Sequence, residues 1–172
     1  MSSQGPVEKT VQQTSQETVA LASAALGHPL VGPVDLGGSR RSRVLRCTAG
    51  DRTVVVKRFL DGGDGFVREA VGLSTLDRTP TLLAQDAKHR LLVMSDVGEL
   101  PTLADLLLAG DREAAWAGAR SWAFALGDLA GRSKVDVARQ RLRAAGVEPW
   151  DATATCEAAS RGCGRSRHAS AP

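Results

Sequence analysis

Hydrophobic positions change period along the chain, and each change predicts an element. Residues 17–27, ETVALASAALG, put Val19, Ala22 and Leu26 on one side at helical spacing with Gly27 as terminator, which predicts a covering helix. The preceding residues 1–16 are polar and aperiodic, and predict a flexible lead-in. Beyond Pro29 and Pro33 the period shortens to two. Residues 34–36, 43–47 and 53–59 read as strands joined by Gly37, Gly38 and Ser39 and then by Ala49, Gly50 and Asp51, an antiparallel meander. Helical period returns over residues 65–76, where Phe66, Glu69, Leu73 and Leu76 recur at spacings of 3, 4 and 3. A second hairpin follows at 81–85 and 90–94, turning through DAKH. After the connector SDVGELP, short helical text at 102–108 precedes a long helix over 111–130, with Ala115, Ala119, Trp122, Leu126 and Leu129 on one face. A modest helix at 135–145 ends the patterned text.

Five strands and one inserted helix predict an α+β fold, an antiparallel sheet layer followed by helices. The domain reading is a lead-in at 1–16, a small lobe at 17–95, a hinge-like connector at 96–101, an incomplete helical region at 102–150, and a tail at 151–172. The tail, DATATCEAASRGCGRSRHASAP, has few large apolar residues and predicts disorder.

Composition narrows the function classes. A length of 172 residues suits either one full domain or a small domain plus part of another, and 42% hydrophobic with 24% charged residues lies in the globular range. Aromatics are only 3%, with no tyrosine, so the core must rest on Leu, Val and Ala. A net charge of +3 with scattered arginines gives little support to a nucleic-acid surface. No signal-like segment opens the chain and no apolar run approaches the roughly 20 residues a membrane span needs, so a cytoplasmic protein without membrane contact is expected. Cys47, Cys156 and Cys163 form an odd set without framework spacing and are expected as free thiols. Cys156, Cys163 and His168 fit no standard zinc spacing, so no metal site is expected there.

The chemistry concentrates in RTVVVKRFLDGGDGFVRE, residues 52–69. Val55 and Lys57 share one face of a strand by the two-residue period, and Glu69 falls within the packing stripe of the next helix. A carboxylate in that stripe needs a cation, and Lys57 is the nearest one with suitable strand geometry. Beneath a glycine turn such a lysine suits polyphosphate: Gly37 and Gly38 allow close backbone approach, their amides and that of Ser39 can face phosphate oxygens, and Lys57 neutralises charge. Val34, Val44 and Val55 are candidates for an apolar roof over a base. Main-chain groups of Ser95, Asp96, Val97 and Gly98 would line its other side. Each feature alone has a plainer reading: Gly37 and Gly38 also suit an ordinary hairpin, Ser95 and Asp96 an ordinary cap and turn.

Taken in order, residues 36–46 (LGGSRRSRVLR), 53–58 (TVVVKR), 66–76 (FVREAVGLSTL) and 91–106 (LLVMSDVGELPTLADL) resemble the amino-terminal lobe and hinge of the aminoglycoside phosphotransferase family, whose fold is similar to that of protein kinases. The resemblance covers about residues 21–133. It implies ATP, bound with magnesium, as cofactor: Lys57 would contact the nucleotide phosphates, Glu69 would be its helix partner, and Ser95 to Gly98 would hold the adenine. The family's His-Gly-Asp loop, its following asparagine and its later metal-binding aspartate have no counterpart, since His168 is followed by Ala169 and the last aspartate is Asp151. No catalytic residue and no intact magnesium site are therefore expected, and the chain is expected to be inactive alone.

Two readings of different class stay open. One is a truncated or frameshifted ATP-dependent small-molecule phosphotransferase that keeps its nucleotide-binding half; its phosphoryl acceptor is not specified by these residues. The other is a non-catalytic module that binds nucleotide, or a protein partner or second copy, through the exposed face of 115–129. A third, plainer account makes Lys57 and Glu69 a structural pair in a domain with no ligand.

Overall fold

The structure is a computed structural model that describes residues 6–99, 101–131 and 134–149, with side chains described for 14–99, 101–129 and 134–149. Its elements are α1 (Pro6–Leu26), β1 (Val31–Ser39), β2 (Ser42–Ala49), β3 (Arg52–Phe59), α2 (Gly65–Thr75), β4 (Leu82–Asp86), β5 (Leu91–Ser95), α3 (Leu103–Leu108), α4 (Arg112–Gly131) and α5 (Lys134–Ala144). The strands form one five-stranded antiparallel sheet in the order β1-β2-β3-β5-β4. The fold is α+β, and this sheet with a helix inserted after its third strand is consistent with a kinase-like amino-terminal lobe.

Alternation along the strands divides the apolar residues between two faces. Leu45, Cys47, Ala49, Val54, Val56, Leu91 and Val93 point to one face and are covered by α1 through Ala22, Val19 and Leu26. Thr18, fully buried in that interface, satisfies its hydroxyl on the Thr14 carbonyl at 2.8 Å. Gly27 at φ 69 ends α1, the left-handed turn that glycine adopts without a Cβ penalty. Phe59, Leu92 and Met94 point to the opposite face with Val55, where α2 packs through Phe66, Val67, Ala70 and Leu73. Because the register sets Lys57 between Val44 and Leu92, the lysine emerges on the α2 face.

Two elements extend furthest beyond what the sequence pattern predicts. Helix α1 starts at Pro6, upstream of Glu17, because it continues through polar text that periodicity alone does not mark. Strand β1 runs through Pro33, which an edge strand tolerates because one side of its ladder is unpaired. Register shifts between Val31 and Val34 and between Asp35 and Gly38 absorb the proline and the glycines. The Cys47 thiol is free and buried, and burial pushes its pKa up. Residues 1–5 of the expected lead-in, and the tail at 151–172 with Cys156, Cys163 and His168, lie outside the described residues. Among the described residues no helix is long and apolar enough to cross a membrane.

Candidate functional site

The sheet positions Lys57 and the inserted helix brings Glu69 to it. Lys57 Nζ lies 2.5 Å from Glu69 Oε2, with both side chains mostly shielded, at 26% and 30% exposed. Phe59, two residues on and therefore on the same face, presents its ring 5.1 Å from Nζ, and Phe66 meets Phe59 edge-on at 6.0 Å. Strand, aromatic pair and helix together fix where the ammonium can go. A charge-assisted contact of this kind holds the lysine extended.

Val44 is in register with Lys57 and Val55 with Met94, so both predicted roof residues share the lysine's face. Val34 is in register with Arg46, which is itself in register with Val55; Val34 is largely exposed at the sheet edge. The glycine turn is brought into the same hairpin, but its groups serve the hairpin itself. The Gly37 amide donates to Asp35 Oδ1 at 2.8 Å, and Ser39 Oγ accepts from the Arg41 amide at 3.1 Å. A phosphate reaching Gly37 would have to displace the Asp35 carboxylate, which also pairs with Arg43 at 3.5 Å. At Gly38 a Cβ would meet the Ser42 carbonyl oxygen at 2.4 Å, so the close approach there requires glycine.

In the connector the predicted residues divide. Ser95 is tied to the start of β4, its amide donating to the Thr81 carbonyl and its hydroxyl accepting from the Thr81 amide, each at 2.9 Å. Asp96 Oδ1 accepts from the Gly98 amide at 3.0 Å, closing a turn in which Gly98 adopts φ 87. Among the described residues the main-chain groups of Val97, inside that turn, take no hydrogen-bond partner. The Gly98 amide first, then the Arg46 guanidinium, hold the Asp96 carboxyl below the usual carboxylate range against the opposing effect of burial.

Arg46 is the residue that the sequence reading missed. Its Nε lies 2.8 Å from Asp96 Oδ2, an ion contact without hydrogen-bond alignment, and its Nη1 reaches Glu99 at 2.5 Å. Its Nη2 stands 3.4 Å from Asp96 Oδ1 and 3.5 Å from the Gly98 carbonyl. The available signal was strand parity: two residues beyond Val44, Arg46 had to share its face, and an arginine in that row needs an acid.

No group of three His, Cys, Asp or Glu side chains able to hold a metal forms among the described residues. A wide groove of about 830 Å3 opens away from this chemistry, between α3 and α4, lined by Leu103, Leu107, Ala115, Trp116 and Ala119 together with Arg112 and Glu113. It offers apolar contact and no cluster of reactive groups, so the functional reading rests on the Lys57 face.

The sheet order and the inserted helix with its Lys57–Glu69 pair are consistent with a kinase-like amino-terminal lobe of the α+β class. No protein-family model matches it, and no curated protein matches it. Among solved structures it is similar to a Thermobifida fusca YX-ER1 protein provisionally named a fructosamine-3-kinase, at 27% identity and a TM-score of 0.42. That match covers 48% of this chain and 32% of the other, so the chain spans about a third of that structure's length.

Proposed function

We propose that this chain is the nucleotide-binding half of an ATP-dependent small-molecule phosphotransferase of the aminoglycoside phosphotransferase type. The observation that carries the reading is the Lys57–Glu69 contact of 2.5 Å on the sheet face that also bears Val44 and Val55. Lys57 meets the phosphates, Glu69 keeps it extended, Val44 and Val55 cover the base, and the Val97 main chain in the connector offers the base a donor and an acceptor. The chain's own text supplies neither a base loop nor paired metal carboxylates, so binding without turnover is the expected behaviour. Calorimetric titration with Mg-ATP tests it. Saturable binding that weakens about tenfold or more in Lys57→Ala is expected, on the scale of one hydrogen bond to a charged group. Absence of saturable heat in the unaltered chain would reject the reading, and Lys57-dependent ATP consumption with amine or alcohol acceptors would reject the inactivity.

A second reading, docking to a protein partner or another copy through α4, is favoured by one observation. Trp116, Trp122 and Phe124 are all more than half exposed on that helix. Partner-dependent assembly without any ATP binding would support it over the first.

A further inference from the structure

We infer that Arg46 is a positioning residue for the base end of the nucleotide site, acting by pinning the connector after β5 to the sheet. This inference rests on the nucleotide reading of the Lys57 face. The row Val34, Arg46, Val55 and Met94 crosses the sheet on that face, and Arg46 is its one charged member. Placing a guanidinium among apolar neighbours costs free energy unless anions meet it. Here two do, and both come from the connector: Asp96, whose side chain is only 7% exposed, and Glu99, which is 86% exposed. The stem of Arg46 lies beside Val55 while its head holds the connector, so one side chain touches both sides of the slot proposed for the base.

The linkage continues through Asp96. Its Oδ2 faces Arg46 Nε while its Oδ1 takes the Gly98 amide, and the turn so closed sets the direction of the Val97 N–H and C=O, which take no partner among the described residues. Those two groups are the connector's means of reading a base edge. Without Arg46 the connector keeps its chain connection at Ser95 and the contact of Asp96 with Thr53 on the third strand, but loses its side-chain tie to the second strand. Of the two acids, Asp96 carries the effect because it is shielded; an ion pair with a carboxylate as exposed as Glu99 is largely screened.

Titrating ADP and inorganic tripolyphosphate separately into the full chain tests this. In Arg46→Met, ADP affinity is expected to fall about tenfold while tripolyphosphate affinity stays within about twofold, because only the base end is disturbed. Asp96→Asn is expected to give the same split, and the double variant to be no worse than either single one. Glu99→Ala should leave both affinities within about twofold. Amide exchange of Gly98 should quicken in Arg46→Met with or without ligand, which reads the connector even if affinities are small. Equal losses for ADP and tripolyphosphate, unchanged ADP binding, or unchanged Gly98 exchange in a folded Arg46→Met would overturn the role of Arg46. If the unaltered chain binds neither ligand, the nucleotide reading fails first, and the positioning role fails with it.

Discussion

At the scale of single residues, the lysine and glutamate were legible because two simple periods, two for a strand and 3.6 for a helix, locate both charges without any knowledge of contacts. Arg46 was not, because its meaning depends on register across strands and on a connector whose acids lie about fifty residues downstream. The glycine turn shows the same limit: the text marks the glycines, yet not that Asp35 takes the Gly37 amide. Gly38→Ala is expected to destabilise the fold by roughly 1–3 kcal/mol, since a Cβ at φ 148 would press on backbone that cannot swing away. A urea midpoint unchanged from the parent chain would contradict that. Asp96 gives a pH prediction. Its folded pKa lies below the unfolded value, so its contribution is fully present above the ordinary carboxylate range and is lost as pH falls through the folded pKa. Asp86, lowered chiefly by its hydrogen bond to His89, and Asp105, lowered chiefly by Thr102, add in the same direction. Stability should therefore decline below about pH 4, and Asp96→Asn should flatten that decline in urea titrations run at successive pH values.

Element by element, the order of strands and helices was readable from hydrophobic period, and the departures have local causes. The early start of α1 is hard to read because its first turns carry only Val7 and Val11 among polar residues, and Pro33 looks like a stop in β1 although the strand lies at an edge. What the text could not give was how α5 is held. Arg141 Nη1 reaches the buried Thr75 hydroxyl at 2.9 Å and the Ser74 carbonyl at 3.5 Å, at the C-terminal end of α2. Lys134 pairs with Asp77 at 2.7 Å, and Arg68 on α2 donates to the Glu148 carbonyl at 2.8 Å. Helix α5 is thus attached by charge and hydrogen bonds, along the length of the helix that carries Glu69. Arg141→Ala is expected to cost roughly 0.5–1.5 kcal/mol and to raise amide exchange in the last turn of α2 before any other element loosens. Uniform exchange changes across the sheet, or none in α2, would count against a local role.

For the molecule as a whole, the two layers are unequal. The sheet buries apolar side chains on both faces, whereas α3 and α4 leave Leu107, Leu108, Trp116, Trp122 and Phe124 exposed. The repeat of Ala115, Ala119, Trp122, Leu126 and Leu129 predicted an amphipathic face needing cover, and only Ala115 among them is buried. Periodicity reveals that a face is apolar; it carries no information on what lies against it. Contacts with the sheet side do reach part of α4, through Arg78 and Asp128 at 3.3 Å, but they sit at its rim and leave the aromatic residues open. Apolar surface of this extent drives association in water at about 25 cal/mol per Å2 removed. Sedimentation of the purified chain should therefore show concentration-dependent self-association together with binding of a hydrophobic dye. Trp116→Lys combined with Phe124→Lys should suppress both while shifting the unfolding free energy by no more than about 1 kcal/mol, because neither side chain is part of a buried cluster. A chain that stays monomeric and dye-silent at every concentration would show that this surface is better covered than its exposure indicates. The nucleotide affinity proposed for the Lys57 face, on the other layer, should be unchanged in that double variant, since the sheet and α2 hold the lysine and glutamate without help from either substituted residue.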